Sequence, residues 1–67
     1  MAKQLVYNRI KDELQKQGRT QGWLAEKMDL DLQTVNRYCG NRRQPSLETL
    51  FKIAKALKIS PRQLIKE

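Results

Sequence analysis

The strongest structural signal in the sequence is an apolar stripe between residues 47 and 57. Apolar side chains recur there at intervals of three and four residues, at Leu47, Leu50, Phe51, Ile53, Ala54 and Leu57. This period places them on one broad face of an α-helix. Ser46 directly precedes the stripe and is a preferred N-cap residue, because its hydroxyl can accept from the first unbonded backbone N–H groups. The sequence therefore predicts a helix that begins after Ser46 and buries this face.

Two further helices are predicted before this one. The first covers about twelve residues and ends near Gly18. Its apolar positions recur every four residues, at Val6, Ile10 and Leu14. The second helix follows the N-cap residue Thr20 and covers residues 21–28. Its inward face is formed by Leu24, Ala25 and Met28.

Between these helices and the stripe, a third predicted helix separates apolar from polar side chains. Asp31 can cap it, and it runs to about Cys39. Successive residues of a helix are about 100° apart around its axis, so Val35, Tyr38 and Cys39 lie together on the inward side. The outward side carries Gln33, Asn36 and Arg37, and Leu32 lies at the boundary.

A short fifth helix is predicted near the end of the sequence. Ser60, Pro61 and Gln63 occupy the N-cap, first and third positions of a capping box, and Leu64 and Ile65 follow. The sequence thus predicts an all-α fold of five short helices around one core, in a single domain over residues 1–67.

Composition limits what such a domain can do. The 67 residues include 14 Lys and Arg against 7 Asp and Glu, and the formal net charge of +7 favours an anionic partner. There is no histidine and one cysteine, Cys39. This excludes His-containing metal sites, Ser-His or Cys-His catalysis and an intramolecular disulfide. We expect no enzymatic activity, cofactor, metal, small-molecule ligand or membrane association, and a reducing, cytoplasmic setting.

The link between the second and third helices is only about two residues long, Asp29 and Leu30. Such a link imposes a steep angle, which a helix-turn-helix uses to present its second helix to the DNA major groove. The sequence resembles the Xre/Cro-type, lambda-repressor-like family of helix-turn-helix DNA-binding domains over nearly its whole length. The resemblance rests on QGWLAEKM at 21–28, DLQTVNRY at 31–38 and PSLETLFKIAKAL at 45–57. Residues 39–45 resemble those of a compact bacterial subgroup of this family, whose members have a single domain. The helix-turn-helix itself is expected at about residues 20–39.

The resemblance implies base contacts from the third helix. The family positions that contact bases correspond to Leu32, Gln33 and Arg37, whereas the helical wheel exposes Gln33, Asn36 and Arg37. We therefore expect all four residues to face the bases. Arg37 suits guanine O6 and N7, Gln33 suits adenine N6 and N7, and Leu32 suits a thymine methyl group. Asn36 suits a base or a phosphate.

Phosphate contacts are expected from a helix N-terminus and from a basic loop, where N–H groups and cations meet backbone oxygens. The candidates are Thr20, Gln21, Asn41, Arg42 and Arg43. Gln21 resembles the residue with which the family clamps a phosphate. The alternative for Arg42 and Arg43 is a solubilising pair in a loop.

Three positions depart from the family pattern, which has glycine at each of them. They are Asp29, Asn41 and Lys58. Asp and Asn tolerate the left-handed backbone conformation better than most residues, so the first two are mild changes.

Two residues keep alternative interpretations. Trp23 lies away from Leu24 and Met28 on the helical wheel, and it either folds back over the first helix or meets DNA or a partner protein. Cys39 is expected to be a small, half-buried apolar residue rather than a redox sensor.

The leading functional hypothesis is a sequence-specific transcriptional regulator, a repressor or autoregulator, that binds an operator in double-stranded DNA as a homodimer at the bacterial nucleoid. A single short recognition helix reads only a few base pairs, so two copies on adjacent half-sites are expected. Candidate dimer contacts are Ile59, Leu64 and Ile65. The alternative is an antitoxin-like module that binds DNA only with a partner protein. RNA binding is disfavoured by the few aromatic residues.

Overall fold

The computed structural model describes residues 8–65, and apart from one isolated bridge the regular secondary structure in this range is helical. Four α-helices follow one another in the chain, and a single 3₁₀ helix ends the described part. The elements are α1 (Ile10–Lys16), α2 (Gln21–Met28), α3 (Leu32–Cys39), α4 (Leu47–Leu57) and the 3₁₀ helix (Pro61–Leu64). The predicted all-α class is confirmed, with the fifth segment as a 3₁₀ turn.

The helices enclose one apolar core. α2 packs against α3 and α4, α1 packs against α3, and the 3₁₀ helix packs against α4. The largest fully buried side chains come from every one of these elements: Ile10, Leu14, Leu24, Val35, Ile53 and Leu64. On α3, the predicted inward residues Val35, Tyr38 and Cys39 are all buried.

Side-chain caps fix the start of several helices. Thr20 Oγ1 accepts from the backbone N–H of Trp23 at 2.9 Å, and Ser46 Oγ accepts from that of Thr49 at 3.1 Å. Gln63 Oε1 accepts from the backbone N–H of Ser60 at 3.2 Å, which completes the predicted capping box. Asp31 occupies the N-cap position of α3, but its side chain makes no cap hydrogen bond, so that part of the prediction is wrong.

The buried face of α4 is narrower than the spacing of its apolar residues predicts. Leu50, Ile53, Ala54 and Leu57 are buried, whereas Leu47 and Phe51 are exposed. The exposed pair lies at the edge of the apolar arc, beyond the width that α2 and the 3₁₀ helix cover. The prediction that both residues belong to the core is therefore wrong.

α1 begins later than predicted, at Ile10, and Val6 lies outside the described residues. Asn8 is not helical and instead forms an isolated antiparallel bridge with Ile65. The Arg9 N–H donates to the Leu64 carbonyl at 2.8 Å, and Asn8 Oδ1 accepts from the Ile10 N–H at 3.2 Å. These bonds hold Asn8 and Arg9 against the end of the 3₁₀ helix.

All four α-helices end in the same way. A residue with left-handed backbone follows each of them: Gly18, Asp29, Asn41 and Lys58, with φ between 56° and 68°. In each case the next N–H donates back five residues into the helix, as from Leu30 to the Ala25 carbonyl at 2.8 Å. These bonds satisfy carbonyls that a helix end leaves open. Asp29, Asn41 and Lys58, which stand where the family has glycine, therefore all adopt the left-handed conformation that glycine adopts with the least strain.

Candidate nucleic-acid interface

The turn between α2 and α3 is compact. Asp29 adopts the left-handed conformation, with φ 56° and ψ 46°, and Leu30 is partly buried against the core. Ala25 is buried on the inner side of α2, where a small side chain permits close approach of the two helices. Only three residues separate the helices, so α3 follows α2 directly and turns its polar face outward.

The polar face of α3 forms one wall of an open groove of about 570 Å³. Within the described part of the chain, five side chains line it, and none of them is acidic: Gln33, Asn36, Arg37, Arg42 and Arg43. All five are exposed to solvent. The structure therefore brings together three of the four residues expected to contact bases and two of those expected to contact phosphates.

The backbone after α3 positions the second wall of the groove. The Arg37 carbonyl accepts from the N–H groups of Arg42 at 3.0 Å and Arg43 at 3.3 Å. Gly40 lies under the Arg42 side chain, since a Cβ atom on Gly40 would come within 3.5 Å of Arg42 Nε. The guanidinium thus lies at the carboxyl end of α3, where the helix dipole favours a cation.

A hydrogen-bond network centred on the buried residue Asn8, just before α1, holds this loop in place. Asn8 is only 4% exposed, and its Nδ2 donates to the Tyr38 carbonyl and to Gln44 Oε1, each at 2.9 Å. Asn41 Oδ1 accepts from the Asn8 N–H at 2.9 Å and from Gln44 Nε2 at 3.0 Å, and Asn41 Nδ2 donates to the Asn8 carbonyl at 3.3 Å. The loop carrying Arg42 and Arg43 is therefore fixed at its base.

This network gives Asn41 a structural role that the sequence did not predict. Its carboxamide bonds Asn8 and Gln44 and so anchors the loop, and its contact with a phosphate stays a prediction. The sequence interpretation missed Asn8 and Gln44 as supports of the site. The spacing of Asn41 and Gln44 was a visible signal, but Asn8 is 33 residues away in the sequence and carries no local signature.

The remaining predicted contacts lie outside the lining of the groove. Leu32 is exposed in the first turn of α3. Thr20 and Gln21 lie at the N-terminus of α2, where the Thr20 hydroxyl already accepts the cap hydrogen bond. Their contacts with DNA stay predictions.

Trp23 and Cys39 occupy different environments. Trp23 is partly buried against the core, and the Arg19 guanidinium lies over its indole ring, 4.3 Å from the ring centroid. Cys39 is buried, and burial raises the pKa of its thiol from 9.0 to about 11, against a smaller opposite effect of the Lys11 charge. A thiol in this environment is mostly protonated at neutral pH and therefore a poor nucleophile.

The structure corrects one of the three expected dimer contacts. Leu64 is fully buried between the helices of a single chain, so it is a core residue and cannot meet a second copy. Ile59 is partly buried against the same core and Ile65 is 43% exposed, so a dimer contact from either of them stays a prediction. The segment is a 3₁₀ turn that points Leu64 into the core. The sequence predicts a short helix there, with Leu64 available to a second copy.

Neither a metal-ligand cluster nor a membrane-spanning helix is present among residues 8–65. No three acidic or cysteine side chains in this range gather as a metal ion would require. The longest helix in the same range has 11 residues, and none is long and apolar enough to cross a bilayer.

A short turn between α2 and α3, with a polar and basic face on α3, defines a helix-turn-helix protein. The sequence matches the family model HTH_3, described as helix-turn-helix, over residues 10–64. The chain belongs to this family. It is also similar to a chain of known structure from Bacteroides fragilis, described as a "putative DNA-binding protein". That chain is 48% identical, with a TM-score of 0.88, and the match covers 90% of this chain and 97% of the other. No protein of curated function matched the sequence.

Proposed function

We propose that this protein is a transcriptional regulator that binds specific double-stranded DNA through α3 in the major groove. The observation that carries the proposal is the groove in which Gln33, Asn36 and Arg37 lie beside Arg42 and Arg43 without an acidic neighbour. Donors for base edges and cations for phosphates are what a recognition helix and its flanking loop require. The described DNA-binding character of the Bacteroides fragilis chain supports the same conclusion.

The residues divide into two roles. Arg37 forms a bidentate pair with guanine, Gln33 pairs with adenine, Leu32 contacts a thymine methyl group, and Asn36 meets a base or a phosphate. The phosphate contacts come from Thr20, Gln21, Asn41, Arg42 and Arg43. Because phosphate contacts do not depend on the DNA sequence, only the residues that contact bases set the specificity.

The protein acts as a homodimer on a two-fold operator. One helix of 8 residues reaches too few base pairs for useful specificity, and two copies on half-sites about one helical turn apart supply the rest. A single domain over residues 1–67, with the helix-turn-helix at about residues 20–39, serves as repressor or autoregulator. It works on the nucleoid in the cytoplasm and requires no cofactor.

Selection of bound sites from a random DNA library tests this function. The expected result is enrichment of a short motif, repeated with two-fold symmetry at a spacing of about one helical turn. Enrichment of an asymmetric or single motif would contradict the dimer. Failure to enrich any sequence would contradict the function, and recovery of enrichment with a co-expressed protein would favour the antitoxin-like alternative.

A further inference from the structure

Two large apolar side chains are exposed next to each other on α4. Leu47 is 66% exposed and Phe51 is 52% exposed. Residues four apart on a helix lie on the same face, so the two form one patch. Among residues 8–65 the other large exposed apolar side chains, Leu32 and Ile65, lie on α3 and at the end of the 3₁₀ helix.

Charges of opposite sign flank this patch along the helix. Glu48 lies in the first turn of α4 and Lys55 in the last. Both are exposed and, at about 100° per residue, lie within about 60° of Phe51 around the helix axis. A face that is acidic at one end and basic at the other is complementary to itself when two copies lie antiparallel.

We propose that this face of α4 binds a second copy of this chain, with two α4 helices antiparallel about a two-fold axis near Phe51. The phenyl rings of the two copies pack on each other at the axis. Glu48 of each copy lies opposite Lys55 of the other, so the ion pair occurs twice by symmetry. The inference rests on the proposed function, because two copies on one operator require a contact surface.

The size of the patch sets the strength of this contact. A stable interface buries about 800 Å² on each partner, and the Leu47 and Phe51 side chains supply only part of that area. Free chains therefore associate weakly, and an operator with two half-sites strengthens the contact by raising the effective concentration. Leu47 lies four residues after Arg43, so the contact adjoins the DNA-facing loop.

Sedimentation equilibrium of the chain without DNA tests the surface. The unmodified chain is expected to associate reversibly as its concentration rises, and Phe51→Ser is expected to weaken association at least about tenfold. Glu48→Lys should weaken it too, and adding Lys55→Glu should restore it. Ile65→Ser removes an exposed apolar side chain elsewhere and should leave association unchanged. Circular dichroism checks that each variant is folded.

Cysteine cross-linking tests the axis directly, even for weak association. In a Cys39→Ala chain, the double variant Glu48→Cys and Lys55→Cys keeps Phe51 and is expected to form a disulfide-linked dimer with oxidised glutathione much faster than Gln15→Cys, an exposed control position on α1. Equal rates, or loss of association in Ile65→Ser but not in Phe51→Ser, would overturn the proposal.

These experiments are done without DNA, so their outcome is independent of the outcome of the operator selection. A chain that enriches a DNA motif but shows no preference for cross-linking between positions 48 and 55 keeps its DNA-binding function and loses this interface. A chain that cross-links there but enriches no sequence keeps the interface and loses the proposed function.

Discussion

The Asn41 carboxamide bonds both backbone groups of Asn8. Its Oδ1 accepts from the Asn8 N–H at 2.9 Å, and its Nδ2 donates to the Asn8 carbonyl at 3.3 Å. The Asn41 backbone has φ 57° and ends the turn after α3. One residue therefore completes the end of α3 and anchors the loop that carries Arg42 and Arg43.

Asn8→Ala is expected to destabilise the protein by about 2 kcal/mol, because the substitution removes a nearly buried carboxamide that donates twice and accepts once. Chemical denaturation measures the change. Asn36→Ala is the matched control, since Asn36 is exposed on α3 and its loss should change the free energy of unfolding by less than about 0.5 kcal/mol. Equal losses in both variants would show that the Asn8 network does not stabilise the fold.

Glycine substitutions at two helix ends are expected to have opposite effects. Lys58 has φ 59° after α4, so Lys58→Gly relieves left-handed strain and should stabilise the protein by about 0.5–1 kcal/mol. Asn41 has nearly the same φ, but Asn41→Gly loses the bonds to Asn8 and Gln44 and should destabilise it by about 1–2 kcal/mol. Thermal unfolding of both variants measures the contrast. Stabilisation by Asn41→Gly would mean that its hydrogen bonds contribute little.

Local chemistry made much of the fold predictable. The caps at Thr20 and Ser46 act within three residues of themselves, so the starts of α2 and α4 follow from sequence alone. The outward residues of α3 are likewise set by helical period. Their gathering with Arg42 and Arg43 into one groove depends on the conformation of the loop after α3, which the Arg37 carbonyl and the Asn8 network fix.

The errors arose where distant residues decide the outcome. α1 starts at Ile10 because Asn8 is held by Tyr38, Asn41 and Gln44, all at least 30 residues away. Phe51 is exposed because a helical period gives the direction of a side chain but not the width of the surface that covers it. Leu64 is buried for a related reason, since packing on α4 and not local period decides its environment.

Cys39 makes the stability of the protein sensitive to alkaline pH. Burial raises the pKa of its thiol to about 11, so between about pH 9 and pH 11 the folded chain holds a proton that the unfolded chain has lost. Stability is then complete below pH 9 and falls as pH rises. The unmodified chain should lose about 2 kcal/mol more than Cys39→Ala over this interval. Denaturation at stepped pH measures it, and parallel pH profiles would contradict the assignment.

Arg42→Ala is expected to weaken binding to every DNA sequence by a similar factor, because Arg42 is assigned to a phosphate. The slope of log affinity against log salt concentration should decrease in magnitude by about one, as expected for the loss of one phosphate contact. Fluorescence anisotropy on the selected site and on an unrelated duplex, across a salt series, measures both effects. A loss confined to the selected site would instead assign Arg42 to a base.

The central claim is that α3 reads bases, and the affinity of Arg37→Ala for a set of single-base variants of the selected operator tests it most directly. The account predicts that Arg37→Ala loses about 1–3 kcal/mol on the selected site and loses its preference at one position of each half-site, while preferences at the other positions remain. A uniform loss across all variants, equal to that of Arg42→Ala, would contradict the assignment of α3 as the recognition helix.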